Sequence, residues 1–142
     1  MCIGRQTYVL MSDWSSKQAH KIIDGDHIMN EDYKPVKVNI ASILWNDEYV
    51  VENCDTKFKY SVHLGHTLVL MNDDNMKLEI SVYDYLQLND KDKWYGIKKY
   101  DENNYEKYKI KVYETGYVID FYSYELEREC NFLLNDRTVT GY

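Results

Sequence analysis

Short runs of β-branched and aromatic residues alternate along the chain with clusters of Asn, Asp and Gly. The runs are TYVLM, VKVNIASILW, EYVVEN, FKYSVHL, TLVLM, KLEISVY, YKIKVY, YVIDFYSYELE and CNFLL. Such runs fit a pleated, half-buried surface and predict strands. The clusters DGD, NDE, NDDN, NDKD and DENN predict turns, because Asn and Asp bond their own backbone and Gly tolerates any φ. SSKQAHKI and SVYDYLQL are long enough for a turn or two of helix, and Pro35 is the single proline. The pattern is that of an all-β domain with many short strands. Residues 89–107 are charged and polar apart from Trp94, Tyr95, Ile97, Tyr100 and Tyr105. They are expected to form a surface loop that tolerates insertion.

VLMSDWSSK, from Val9, is echoed by VLMNDDNMK, from Val69, at an offset of 60 residues. Two copies do not make a solenoid. They suggest two related β units folded against each other, or two ordinary hairpins with Asp-rich turns.

Composition narrows the function. The chain has 142 residues, 44% hydrophobic and 29% charged, enough for one domain with a real core. A net charge of −7 argues against nucleic acid, which asks for clustered Lys and Arg. The longest apolar run is far too short for a membrane span, and the start lacks the basic and apolar regions of a secretory leader. Cys2, Cys54 and Cys130 are odd in number and far apart. They fit a reducing compartment, and a cytoplasmic location is expected.

Two places carry chemistry. Cys2 is a nucleophile if a base or an altered environment activates its thiol. His63 and His66 lie three apart around Leu64 and Gly65. On a plain strand they face opposite sides, but a turn at Gly65 brings the rings together. A general acid, a metal pair and ordinary loop histidines all remain open for them. The chain ends in an apolar run, a turn at Asn135 and Asp136, and a short strand from Thr138 to Thr140. The aromatic residues, Trp14, Trp45 and Trp94 included, read as core and rim packing.

Taken in order, these segments resemble the Hint domain, the self-processing module of inteins and hedgehog C-terminal regions. CIGRQTYVLMSD resembles the opening block, with a cysteine, a threonine five residues on, a strand and an Asp-containing turn. KIIDGDHIM resembles the segment that follows. KYSVHLGHTLVLM resembles the Thr-x-x-His block, and VYDYLQL sits at the second of the Gly-Asp segments. FYSYELERECNFLLND resembles the block ending in His-Asn-Phe, and TVTGY sits where the family has Val-Val-His-Asn. The likeness runs nearly end to end, the length of a mini-intein without a homing endonuclease, whose insertion would fall within residues 89–107. The implied fold is a horseshoe of β-strands with pseudo-two-fold symmetry, which also accounts for the echo.

The implied activity is single-turnover autoprocessing on the flanking polypeptides of the chain's own precursor. Cys2 attacks the carbonyl before it, an N-to-S acyl shift that turns an amide into a thioester. His66 is the family histidine that assists the leaving nitrogen, and His63 stands where the family has threonine. In the last block an ungapped count puts the family aspartate on Ser123, with Asp120 the alternative if three residues are inserted. Cys130 replaces the histidine before Asn-Phe. Thr140 replaces the penultimate histidine and Gly141 the terminal asparagine, whose side-chain amide cyclises to cut the C-terminal bond. Glycine has no such amide, so C-terminal cleavage by that route is not expected.

The resemblance implies that Cys2, His63, His66 and Cys130 are neighbours. No cofactor is expected. An inhibitory zinc on those four residues, or a Cys2–Cys130 disulfide, are the two ways in which that proximity would act. A monomer is expected. A Hint remnant without catalysis and an unrelated all-β binding module are the rival readings.

Overall fold

The computed structural model describes residues 2–142, the side chains of Ile40 and Ala41 excepted. It contains thirteen strands: β1 (Cys2–Gly4), β2 (Tyr8–Leu10), β3 (Ser16–Gln18), β4 (His27–Met29), β5 (Pro35–Asn53), β6 (Lys59–Val62), β7 (Thr67–Met71), β8 (Lys77–Ser81), β9 (Tyr95–Lys99), β10 (Tyr105–Tyr108), β11 (Ile110–Leu126), β12 (Phe132–Leu133) and β13 (Val139–Thr140). One helix, α1 (Val82–Gln87), follows β8. The all-β expectation holds. No helix among the described residues is long and apolar enough to cross a membrane.

Two sheets organise the chain. In one, the order is β1-β11-β5-β4, with β6 also on β5; in the other it is β10-β9-β7-β13-β12, with β8 on β7. β2 and β3 form a separate ribbon. VKVNIASILW and EYVVEN merge into the 19-residue β5, because the intervening Asn46 and Asp47 stay in register with Ile119 and Val118 of β11. The segment 89–107 is more ordered than its polarity suggests. It holds β9 and most of β10, paired antiparallel, and Gly96 and Ile97 of β9 are buried.

The turns share a device. Asn30 Oδ1 accepts from the N–H groups of Asp32 and Lys34, and Asn72 Oδ1 from those of Asp74 and Met76. Asn53 Oδ1 accepts from Asp55 and Thr56. Each asparagine precedes a residue in the left-handed region, Tyr33, Asn75 or Lys57. The side-chain oxygen satisfies turn N–H groups that would otherwise lack a partner, and this supports the tight reversal.

Both halves of the echo are hairpins, β2–β3 and β7–β8. Their turns match at Trp14 and Asn75, the left-handed residues, an offset of 61 (75 − 14) instead of 60. Backbone geometry sets the equivalence, and the matching letters lie one residue out of step.

The larger core joins both sheets through Ile3, Val9, Ile28, Val62, Leu68, Tyr124 and Phe132, all fully or almost fully buried. Leu68 pairs with Thr140 of β13, so this core also fixes the end of the chain. Truncating such a residue to Ala costs about 2–5 kcal/mol.

Candidate active site

β1 places the thiol. Its antiparallel register on β11 sets Cys2 directly opposite Ser123 and Gly4 opposite Phe121. Directly opposed residues share a face, so Cys2, Gly4, Phe121 and Ser123 lie on one side of the sheet. Asp120 is three residues from Ser123 and therefore on the other side. Cys2 is half-buried, and burial pushes its thiol pKa up from 9.0.

The turn between β6 and β7 places the histidines. The His66 N–H donates to the His63 carbonyl at 3.1 Å, and the His66 carbonyl accepts from the Val82 N–H at 2.9 Å. The turn that Gly65 permits is present. His63 Nδ1 accepts from the Gly65 N–H at 2.9 Å, and the His63 ring stands edge-on to Phe121 at 5.5 Å. A Cβ on residue 65 would come within 2.8 Å of the His63 ring, so glycine is needed there. Burial also lowers the His63 pKa.

His66 is 3% exposed. Its Nδ1 lies 3.1 Å from the Cys2 carbonyl oxygen and its Nε2 2.6 Å from Thr140 Oγ1. Burial, helped by the neighbouring His63, lowers its pKa to about 3, so the ring is neutral near pH 7. A neutral imidazole has one N–H. The carbonyl can only accept, so Nδ1 carries the proton and Nε2 accepts from the Thr140 hydroxyl. The Tyr60 hydroxyl lies 3.4 Å from Thr140 Oγ1, whose proton is already committed to His66; Tyr60 therefore donates. Three polar groups thus fix one tautomer of His66, with its N–H turned to Cys2. Tyr60 was not singled out from the sequence. Its signal was a hydroxyl-bearing ring on the inward face of FKYSVHL, beside Val62.

The C-terminal residues lie against the same turn. Thr140 is fully buried. The Gly141 N–H donates to the Thr67 carbonyl at 2.9 Å. A Cβ on residue 141 would stand 2.5 Å from the Thr67 carbonyl oxygen and 2.6 Å from Thr67 Cβ. Gly141 therefore sits where no side chain fits.

Cys130 faces elsewhere. With Glu31, Thr67, Glu79, Glu129, Asn131 and Tyr142 it lines a cleft of about 470 Å³, and burial raises its pKa. Asn131 Nδ2 donates to Glu31 at 3.2 Å and to Glu79 at 2.8 Å, so that amide is held by two carboxylates. Cys2, Cys54 and Cys130 are all free thiols. Among the described residues, no group of three or more His, Cys, Asp or Glu side chains is placed to hold a metal ion. Both nitrogens of His66 and Nδ1 of His63 already make hydrogen bonds.

No family model and no curated protein matches the chain. Solved structures do. The gp41-1 intein is similar with a TM-score of 0.69 at 15% identity, over 99% of this chain and 98% of that one. The DnaB intein from Synechocystis sp. PCC 6803 gives 0.70 at 12% identity, again over 99% and 98%. The splicing domain of the Msm DnaB1 intein, a structure bound with zinc, gives 0.66 at 14% identity over 99% and 98%. The arrangement of this chain, end to end, is the Hint fold of the mini-inteins.

Proposed function

We propose that the domain processes its own precursor at Cys2 by an N-to-S acyl shift. Cys2 Sγ attacks the carbonyl carbon of the preceding residue. The S–C bond forms, the C–N bond to Cys2 breaks, the thiol gives up its proton, and the freed nitrogen gains one. The nitrogen leaves poorly without that proton. His66, neutral and holding its Nδ1–H against the backbone of Cys2, is the group assigned to supply it. Thr140 and Tyr60 position that ring. The thioester then passes to water or to an added thiol, which releases the N-terminal flank.

Ser123, opposite Cys2, and His63, packed on Phe121, are assigned to shaping the thiol's surroundings. Asp120 is not assigned a role, because it lies across the sheet. The C-terminal junction stays intact, since Gly141 carries no amide and has no room for one. The flanks are the polypeptides of the same precursor, and each molecule turns over once.

The observation that carries this reading is the 3.1 Å hydrogen bond between His66 Nδ1 and the Cys2 carbonyl. The test fuses a folded partner ahead of Cys2, adds a thiol, and follows release by mass spectrometry. Release that disappears in Cys2→Ala supports the reading. A stable fusion would identify a domain that keeps the fold without the chemistry.

A further inference from the structure

Five large, exposed apolar side chains fall on one ribbon: Ile43, Leu44 and Trp45 of β5, and Tyr117 and Val118 of β11. Trp45 is 72% exposed. The backbone beneath them is also open. β4 pairs with residues 35–37 of β5 and β6 with residues 49–52. Val38 bonds Gly25 and Asp26. From Asn39 to Glu48, among the described residues, β5 has a strand partner only on its β11 side. From Ser42 to Asp47 alternate residues turn N–H and C=O groups outward, a template for another extended chain, and a bulge at Ala41 ends the regular stretch. Edge strands are normally blunted by Lys, Pro or short length. NIASILWN, from Asn39, has no charge and no proline.

We propose that this edge pairs with the same edge of a second copy, antiparallel, about a two-fold axis at Leu44. In that register Ile43 of one copy lies opposite Trp45 of the other, twice over. Val118 and Tyr122 share their face, since they pair with Asp47 and Ile43. Asp120, opposite Trp45, and Asp47 stand on that face too, so the apolar contact across the axis is Ile43 on Trp45, with the carboxylates at its margin. Ser42 falls opposite Asn46, and Asp47 lies beyond it against the bulge at Ala41, so no like charges are opposed. Moving the axis to Trp45 would set Ile43 against Asp47 and lose this match. The pairing is isologous and uses up both edges, so it stops at a dimer. It departs from the monomer expected from the sequence. Each copy carries −7, so added salt should tighten the pair.

Light scattering after size exclusion, and sedimentation over a concentration series, test this directly. The intact chain should give a dimer that strengthens with salt, and Trp45→Lys should weaken it by about tenfold or more with an unchanged circular dichroism spectrum. Leu44→Cys should cross-link between copies under mild oxidation, because opposed strand residues lie within disulfide reach. Met76→Cys, more exposed but off the ribbon, should not. A monomer at every concentration, open-ended oligomers, a dimer that survives Trp45→Lys, or no preference for Leu44→Cys over Met76→Cys would each overturn the proposal. None of these readouts depends on cleavage at Cys2.

Discussion

His66 and Thr67 are neighbours in the chain, yet they serve opposite ends of it. His66 turns its ring to Cys2 and bonds it at 3.1 Å. Thr67 presents its carbonyl to the Gly141 N–H at 2.9 Å and fills the space where a residue-141 side chain would go. On the proposed function, one turn therefore prepares the N-terminal junction and closes the C-terminal one. The difference is steric as well as chemical. At Cys2 a thiol and a ring N–H lie on adjoining groups; at Gly141 there is no side-chain amide and no room for one.

Four changes break or sharpen this contrast. The largest effect is expected from the ring: His66→Ala should slow flank release by about 10²–10⁴-fold, read as the rate of product formation by mass spectrometry. Second, Gly141→Asn restores the letter without the space. It should destabilise the fold by about 1–3 kcal/mol in urea unfolding and still leave the C-terminal flank attached. An asparagine there that cyclised would show that Thr67 yields. Third, Thr140→Val removes the hydroxyl that holds Nε2. It should cost about 1 kcal/mol of stability and slow release by roughly tenfold, and Thr140→Ser should recover most of both. The ¹⁵N shift of His66 Nε2 should move in Thr140→Val, which separates loss of the hydrogen bond from a packing defect.

The fourth and smallest change is in pH. Burial holds the Cys2 thiol protonated past 9.0, so release should accelerate with rising pH through neutrality and beyond. Stability has the opposite limit. In the fold His66 resists protonation down to about 3, and His63 is lowered too, against 6.5 for free imidazole. As pH falls below 6.5 the unfolded chain takes up protons that the fold refuses. The stabilisation is thus complete above 6.5 and is lost as pH drops toward 3. Thermal melts of the chain and of His66→Leu should diverge least in acid, where the histidine is a burden.

Much of this was legible in the sequence, and the reasons are specific. Strands built from alternating β-branched and aromatic residues declared themselves, and Gly65 left a turn open between the histidines. The helical stretch SVYDYLQL became α1, with the Ser81 hydroxyl capping the Asp84 N–H. β9 and β10 were hidden because they are short and polar, and their pairing to each other compensates for weak patterning. The ribbon at Ile43 was read as an ordinary strand, since periodicity does not say which strand lacks a neighbour. At the site, motif order set Cys2, His63 and His66 together, and the structure brings the His66 ring within 3.1 Å of the Cys2 carbonyl. Tyr60 and the obstruction at Gly141 could not be read, because both depend on contacts between residues about 75–80 apart in the chain. The expected grouping of Cys130 with Cys2 and the two histidines came from the order of the motifs; Cys130 instead lines the cleft with Glu31 and Asn131.

The most direct measurement places a folded partner at each end of the domain, ahead of Cys2 and behind Tyr142, and follows the precursor by intact-mass spectrometry after adding thiol. The account predicts two products: the N-terminal partner carrying a thioester, and the domain still joined to its C-terminal partner. Joined flanks, or a free C-terminal partner, would contradict it.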